Sequence, residues 1–197
     1  MSTIESPTRL TPAQYLAFER ASEHRHEYFD GVLVPMSGAR LAHNVIVMNL
    51  AQIIATLLLG RRGGVYASDL RVRAGASYVY PDLSVVLDEP QLEDDAFDTL
   101  VNPAILIEVL SPSTEALDRG RKADEYRRLA SVTDYLLIAQ DRVKVEHWSR
   151  RAEGWGVVEL GGIDDAIRLE AMGLEIPLRR VYAKTTMMSD ESTTRPE

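Results

Sequence analysis

Two short runs constrain this chain more than anything else in it. Leu83-Ser84-Val85-Val86-Leu87 and Ile105-Leu106-Ile107-Glu108-Val109-Leu110 are nearly unbroken apolar segments, rich in β-branched residues. A strand covered on one face alternates apolar with polar, whereas a strand covered on both faces does not. The two runs therefore predict a sheet with layers packed on each side. Each run also carries one acid where apolar residues belong. Asp82 stands at the head of the first, in Tyr80-Pro81-Asp82, and Glu108 stands inside the second. A buried carboxylate is costly unless it is paired or binds a cation. The same segments thus bear on the fold and mark where chemistry is to be sought.

The remaining elements follow from local signals. Thr11-Pro12-Ala13-Gln14 combines an N-cap, a proline at the first helical position and a capping box, and predicts a helix from Pro12 to about His24. Asp30-Gly31 predicts a tight hairpin or a bent strand within Glu27 to Met36. A helix from Arg40 to Leu59 is apolar nearly all round, which predicts cover on most sides, and Gly60 is placed to end it in a left-handed cap. Strands are predicted over Val65 to Arg73, Tyr78 to Leu87 and Ala104 to Leu110, a helix over Thr114 to Ala130, and a strand over Tyr135 to Ala139. A hairpin should join Val143 to Ser149 with Trp155 to Leu160, turning near Gly154. The order helix, three strands, helix, strand predicts an α/β (α+β mixed) fold with helices flanking a mixed sheet. One domain is expected over 1–183, followed by a polar, disordered tail over 184–197.

Composition enters through what it excludes. With no cysteine, the chain has no disulfide framework, thiolate zinc site, iron–sulfur cluster or cysteine nucleophile. The first ten residues lack the basic and apolar regions of a leader. The apolar stretch Leu41 to Leu59 is interrupted by His43, Asn44, Asn49, Gln52 and Thr56, so it reads as a core helix. A cytoplasmic protein that does not engage membrane is expected. The net charge is −8, from 22 basic and 30 acidic residues. That total hides a distribution. Asp88 to Asp98 holds six acids and no base, and taking this −6 off the −8 leaves −2 for the rest. Arg119 to Arg128 holds five basic and two acidic residues, a local +3. The charge therefore permits DNA as a partner, with weak nonspecific binding, and the acidic loop is expected to screen or gate the substrate. Arg61 and Arg62, in a Gly-rich stretch, are candidate phosphate contacts. That stretch lacks the lysine and hydroxyl of a phosphate-binding loop, which counts against a hydrolase of small phosphorylated molecules.

Asp82 and Glu108, on neighbouring strands, could share one divalent ion. Hard oxygen donors point to Mg²⁺, with Mn²⁺ as a substitute. The alternative is pairing with an arginine such as Arg71 or Arg73. Lys122 stacks over Tyr126 at i, i+4 and so flanks the apolar face of its helix. Because that helix directly follows the Glu108 strand, its N-terminal part can return towards the acids. The alternative there is a solvated lysine lying along its helix.

The ordered set HEYFDGVLVPMSG (26–38), a helix opening near His43, YPDLSVV (80–86), ILIEVLSPST (105–114), a helical lysine and DYLLI (134–138) resembles the Uma-two (Uma2) family. These are restriction-endonuclease-like proteins of the PD-(D/E)xK nuclease superfamily, and the resemblance spans roughly residues 10 to 180. It implies a restriction-endonuclease-like core with an added N-terminal helix and hairpin and added C-terminal strands. It also implies that Asp82 is the motif aspartate and Glu108 the second acid. The superfamily lysine stands two residues after that acid, where this chain has Leu110, so Lys122 is implied to be a migrated substitute. Glu27 is a further candidate carboxylate of the site, or else a surface acid at a strand start. His43 lies near the expected site, with a structural or capping role as the other reading, and Asp69 is a weaker candidate. The implied activity is Mg²⁺-dependent hydrolysis of DNA phosphodiester bonds. Asp82, Glu108 and the backbone carbonyl of Val109 would hold the metal, and Lys122 would orient the attacking water. A catalytically silent module that binds nucleic acid or protein is the alternative. A homodimer is expected, formed on the apolar helix Leu41 to Leu59 or on the C-terminal hairpin.

Overall fold

The structure, a computed structural model, describes residues 9–187. Its first element, α1 (Pro12–Ala21), begins with the capping box: the Gln14 N–H donates to the Thr11 hydroxyl and the Thr11 N–H to the Gln14 side chain. The helix ends short of His24, because Ser22 is already extended. β1 (His26–Phe29) and β2 (Val32–Pro35) form the predicted hairpin. Asp30 and Gly31 at its tip have φ of 46° and 90°, and a Cβ on Gly31 would lie 2.6 Å from that of Arg9. This turn therefore needs glycine at its second position.

After α2 (Leu41–Leu58) the chain runs through β3 (Gly64–Ala67), β4 (Arg71–Ala74), β5 (Ser77–Val79), β6 (Leu83–Val86), β7 (Thr99–Leu100) and β8 (Ile105–Leu110). Two predicted strands are corrected here. Val65 to Arg73 is two strands in different sheets, and so is Tyr78 to Leu87. The second switch falls at Tyr80-Pro81-Asp82, where proline has no N–H to offer a ladder. Both sides of the second switch are buried, so hydrophobic pattern alone does not mark it.

The expected helix Thr114 to Ala130 is also subdivided. It comprises α3 (Glu115–Leu117), a π-helical turn (Asp118–Lys122) and α4 (Ala123–Arg128). β9 (Asp134–Ala139), β10 (Val145–Arg151) and β11 (Gly154–Leu160) follow, with the predicted hairpin turning at Gly154. A ladder of β12 (Ala166–Leu169) with β13 (Leu174–Pro177), and a short α5 (Leu178–Val181), complete the fold.

The larger sheet has the order β11-β10-β9-β8-β6-β3, with β8 and β9 parallel and the other neighbours antiparallel; the smaller has the order β2-β1-β5-β4-β7. Alternation along β8 builds the two cores the sequence predicts. Ile105, Ile107 and Val109 pack with Ile46, Leu50 and Ile53 of α2. Leu106 and Leu110 pack with Ala123 and Tyr126 of α4. Glu108 shares that second face.

α2 is covered less than its composition predicts. Ile46, Leu50, Ile53, Ile54 and Leu58 are buried, but Leu41 and Met48 on the opposite side, and Leu59 at its end, are 81%, 65% and 78% exposed. It is long and apolar enough to cross a membrane by length and composition. Its inner face, however, packs on the sheet, and the Asn49 amide donates to the carbonyls of Val181 and Ala183. Gly60 has φ of 75°, the left-handed cap predicted. Residues 184–187, read from the sequence as tail, include a buried Thr185 and a Met187 packed on the main core. The rest of that expected tail, 188–197, lies outside the described residues.

Candidate active site

The β5–β6 switch determines where Asp82 sits. The ladder between β6 and β8 starts with Leu83 opposite Ile107, so Asp82 comes just before it, beside Glu108. Each acid holds the backbone of the other's strand segment. The Val109 N–H donates to Asp82 Oδ2 at 2.7 Å, and the Asp82 N–H donates to Glu108 Oε2 at 3.4 Å. A strand residue sends its N–H and C=O to the same side, so the Val109 carbonyl also faces the edge that β6 has left open.

Lys122 reaches the acids. Its Nζ lies 2.7 Å from Glu108 Oε1, 2.9 Å from Glu27 Oε1 and 3.2 Å from Asp118 Oδ1, and the residue is only 4% exposed. The π turn sets its rotation about the helix; such turns recur at functional sites. Glu27, on β1, is buried in this cluster and accepts a hydrogen bond from the Tyr80 N–H at 3.1 Å. His43 stands in the first turn of α2 with Nε2 3.0 Å from Asp82 Oδ1. It does not cap the helix, whose N-cap is Arg40, and its buried Nδ1 has no partner among the described residues. Asp69 stays on the surface, 4.0 Å from Arg25. The structure thus brings together Glu27, Asp82, Glu108 and Lys122, adds His43, and leaves out Asp69. Two participants escaped the sequence reading. Asp118 sits at i, i+4 before Lys122, and Tyr126, at i, i+4 after it, donates to Glu108 Oε1 at 2.9 Å. The spacing that marked Tyr126 as a stacking partner held the signal for both.

Burial pushes the Glu108 carboxyl well above its ordinary range; Lys122 opposes this, and the neighbouring acids add to it. Asp118 is raised by burial in the same way. For Lys122, burial favours the neutral amine, but Glu108, Glu27 and Asp118 outweigh it and hold the ammonium well above its ordinary pKa. Tyr126 is raised by burial and by Glu108, so it remains a neutral donor. Three carboxyl groups thus face one lysine, and Asp82 stands beside them against His43, so acids outnumber the lysine in a low-dielectric site. That surplus, and a donor set made of hard oxygens, suit a divalent cation such as Mg²⁺. As the side chains stand, Lys122 is the cation of the cluster, and no three acidic or histidine side chains among the described residues are grouped to hold a metal ion.

The cluster lines a cleft of about 410 Å³ between the segments Met36–Ala39 and Ser111–Thr114. A larger concavity, about 790 Å³, lies between the β10–β11 hairpin and the β12–β13 ladder and contains none of these groups. Its buried Asp134 is already bonded to His147 and Thr133. No residue of the acidic loop lines the cleft. Asp94 and Asp98 pair with Arg20, Asp98 also with Arg71, and Glu93 with Arg73. The basic helix is similarly engaged: Arg119 pairs with Glu115 and Glu146, Arg127 with Asp124, and Lys122 turns inward. Arg61 donates to the Met172 carbonyl and Arg62 pairs with Asp88, so the two arginines proposed for phosphate already have partners within the chain.

A mixed sheet with a parallel pair at its centre, helices on both faces, and Asp82, Glu108 and Lys122 converging at a strand switch define the restriction-endonuclease-like fold class. Comparison with known proteins gives the family. The model of the Uma2 family, described as "Putative restriction endonuclease", matches residues 12–179, and the chain belongs to that family. Two uncharacterized proteins of Synechocystis sp. (strain PCC 6803) are similar to it. One is 31% identical over 175 residues, covering 87% of this chain and 99% of its own length. The other is 32% identical over 176 residues, covering 88% and 92%. A solved structure described as a "putative nuclease belonging to DUF820", from Anabaena variabilis, superposes with a TM-score of 0.75 at 17% identity, covering 88% of this chain and 97% of that one.

Proposed function

We propose that this chain is a metal-dependent endonuclease that hydrolyses DNA phosphodiester bonds. The observation that carries the reading is the convergence of Asp82, Glu108 and Lys122 in one cleft with negative charge in surplus. Asp82, Glu108 and the Val109 carbonyl are the groups that would hold Mg²⁺ or Mn²⁺. The bound ion would polarise a phosphoryl oxygen and lower the pKa of a water. The chain's own groups do the rest. Lys122 remains an ammonium, so it is a poor base; it orients the attacking water and offsets charge growing on phosphorus. His43 holds Asp82, while Glu27 and Asp118 hold Lys122. Cytoplasmic location, weak nonspecific DNA binding, a homodimer and no engagement with membrane belong to the same proposal.

One observation favours a second reading. Lys122 already satisfies Glu27, Glu108 and Asp118, as it would in a silent module that keeps the cluster for stability. Nicking of supercoiled plasmid in Mg²⁺ or Mn²⁺ separates the two. The endonuclease reading expects nicking by the wild type and a loss of about 10²-fold or more in Asp82→Asn. A wild type that is inert with both metals, or an equally active Asp82→Asn, would leave the silent module.

A further inference from the structure

We propose that Glu19 of α1 and Arg71 of β4, joined through the Tyr80 hydroxyl, are positioning residues that hold the switch segment and so keep Asp82 beside Glu108. β5 ends at Val79 and β6 starts at Leu83, so residues 80–82 lie outside both strand ladders. Pro81 has no N–H to offer. Yet a carboxylate that serves a metal must be held to within about 0.5 Å. Side chains do this holding.

Glu19, Arg71 and Tyr80 are all buried. The Tyr80 hydroxyl accepts from Arg71 Nη1 at 3.1 Å and donates to Glu19 Oε1 at 3.0 Å. Burial, against the pull of Arg71, pushes the Tyr80 phenol up to about 12, so it stays a donor to Glu19. Arg71 is fixed from behind. Its Nε and Nη2 donate to the Thr99 hydroxyl, and Nη2 pairs with Asp98 at 2.8 Å. Glu19 grips a second segment as well. Its Oε1 accepts the His26 N–H at 2.8 Å, and its Oε2 lies 3.1 Å from His26 Nδ1. The next residue is Glu27, which accepts the Tyr80 N–H and pairs with Lys122. One carboxylate thus ties together the two segments that bring Glu27 and Asp82 to the cleft.

Stability alone does not account for this network. Buried charges add less to stability than apolar side chains of the same volume. Hydrogen bonds, however, fix direction, and here they fix the Tyr80 backbone two residues from Asp82. The network also gives α1 and the acidic loop a bearing on the cleft, although neither lines it.

The consequence for a metal rests on the endonuclease reading; the hold on Asp82 does not. Calorimetry with Mn²⁺ on the full chain tests the first. Tyr80→Phe keeps the ring and removes the junction, and it should bind Mn²⁺ about tenfold or more weakly than the wild type. Glu19→Ala should do the same, whereas Glu19→Gln, whose amide oxygen still accepts from Tyr80, should stay close to the wild type. Tyr182→Phe removes a buried hydroxyl from the other core, so it controls for lost stability and should leave Mn²⁺ affinity unchanged. Should Tyr80→Phe or Glu19→Ala fail to fold, the other decides. The Val109 amide, which donates to Asp82, supplies a readout without metal. Its proton–nitrogen correlation signal should move in Tyr80→Phe and Glu19→Ala and stay in Tyr182→Phe. A wild type that binds no Mn²⁺ would contradict the endonuclease reading, and the Val109 signal would then decide this proposal by itself. Wild-type Mn²⁺ affinity in Tyr80→Phe, an equal loss in Tyr182→Phe, or a Val109 signal unmoved by Tyr80→Phe would each overturn it.

Discussion

Lys122 shows what one residue contributes at this site. Its three carboxylate partners are buried with it, so removing the ammonium leaves acids without a counterion. Lys122→Met should cost about 3–5 kcal/mol in urea unfolding. Asp118→Asn should behave differently, because burial already resists ionisation of that carboxyl. Removing its charge trims the surplus, so stability in EDTA at neutral pH should hold or rise by about 1 kcal/mol. An equal loss in both variants would contradict this account of the cluster's charge. Asp82 and Glu108 were legible in the sequence because an acid stands out in an apolar run. Lys122 was legible as to face, but its reach depended on a π turn that no residue pattern announces. Asp118 and the His43–Asp82 contact depend on how elements pack, which spacing along one element does not contain.

At the scale of elements, α1 is fastened to the acidic loop through Arg20, Asp94 and Asp98. The Arg20 hydrogen bond, with help from Thr99 and Arg71 and against burial, holds the Asp98 carboxyl well below its ordinary value. A depressed carboxyl stabilises the fold above its unfolded pKa of about 3.9, and that contribution is lost as pH falls through the folded value. Asp98→Asn should therefore cost about 1 kcal/mol at pH 7, after discounting for its exposure of 32%, and little in strong acid. A cost that does not change with pH would contradict the pairing. On α2, Leu50→Ala empties a fully buried position and should cost about 2–5 kcal/mol, whereas a polar residue at the exposed Leu59 should cost little. Helix starts and both hairpins were legible through caps and turn residues. The switch between β5 and β6 was not, because buried residues continue on both sides of it. The ion pairs that hold the acidic loop were not legible, because its arginine partners come from α1 and β4.

For the molecule as a whole, the order of elements was legible and gave the fold class. Two buried strands require two covering layers, and α2 and α3–α4 supply them on opposite faces of β8. The same layering puts Glu108 on the α4 side, with Lys122, and carries Asp82 to it through the switch between sheets. An assembly that collects three acids around one lysine, with Asp82 beside them, should have a use for further positive charge. Titration of Mn²⁺ into the metal-free protein, followed by calorimetry, tests this most directly. One ion should bind per chain in the wild type, and binding should disappear in Glu108→Gln. Equal Mn²⁺ binding by the two proteins would contradict the account.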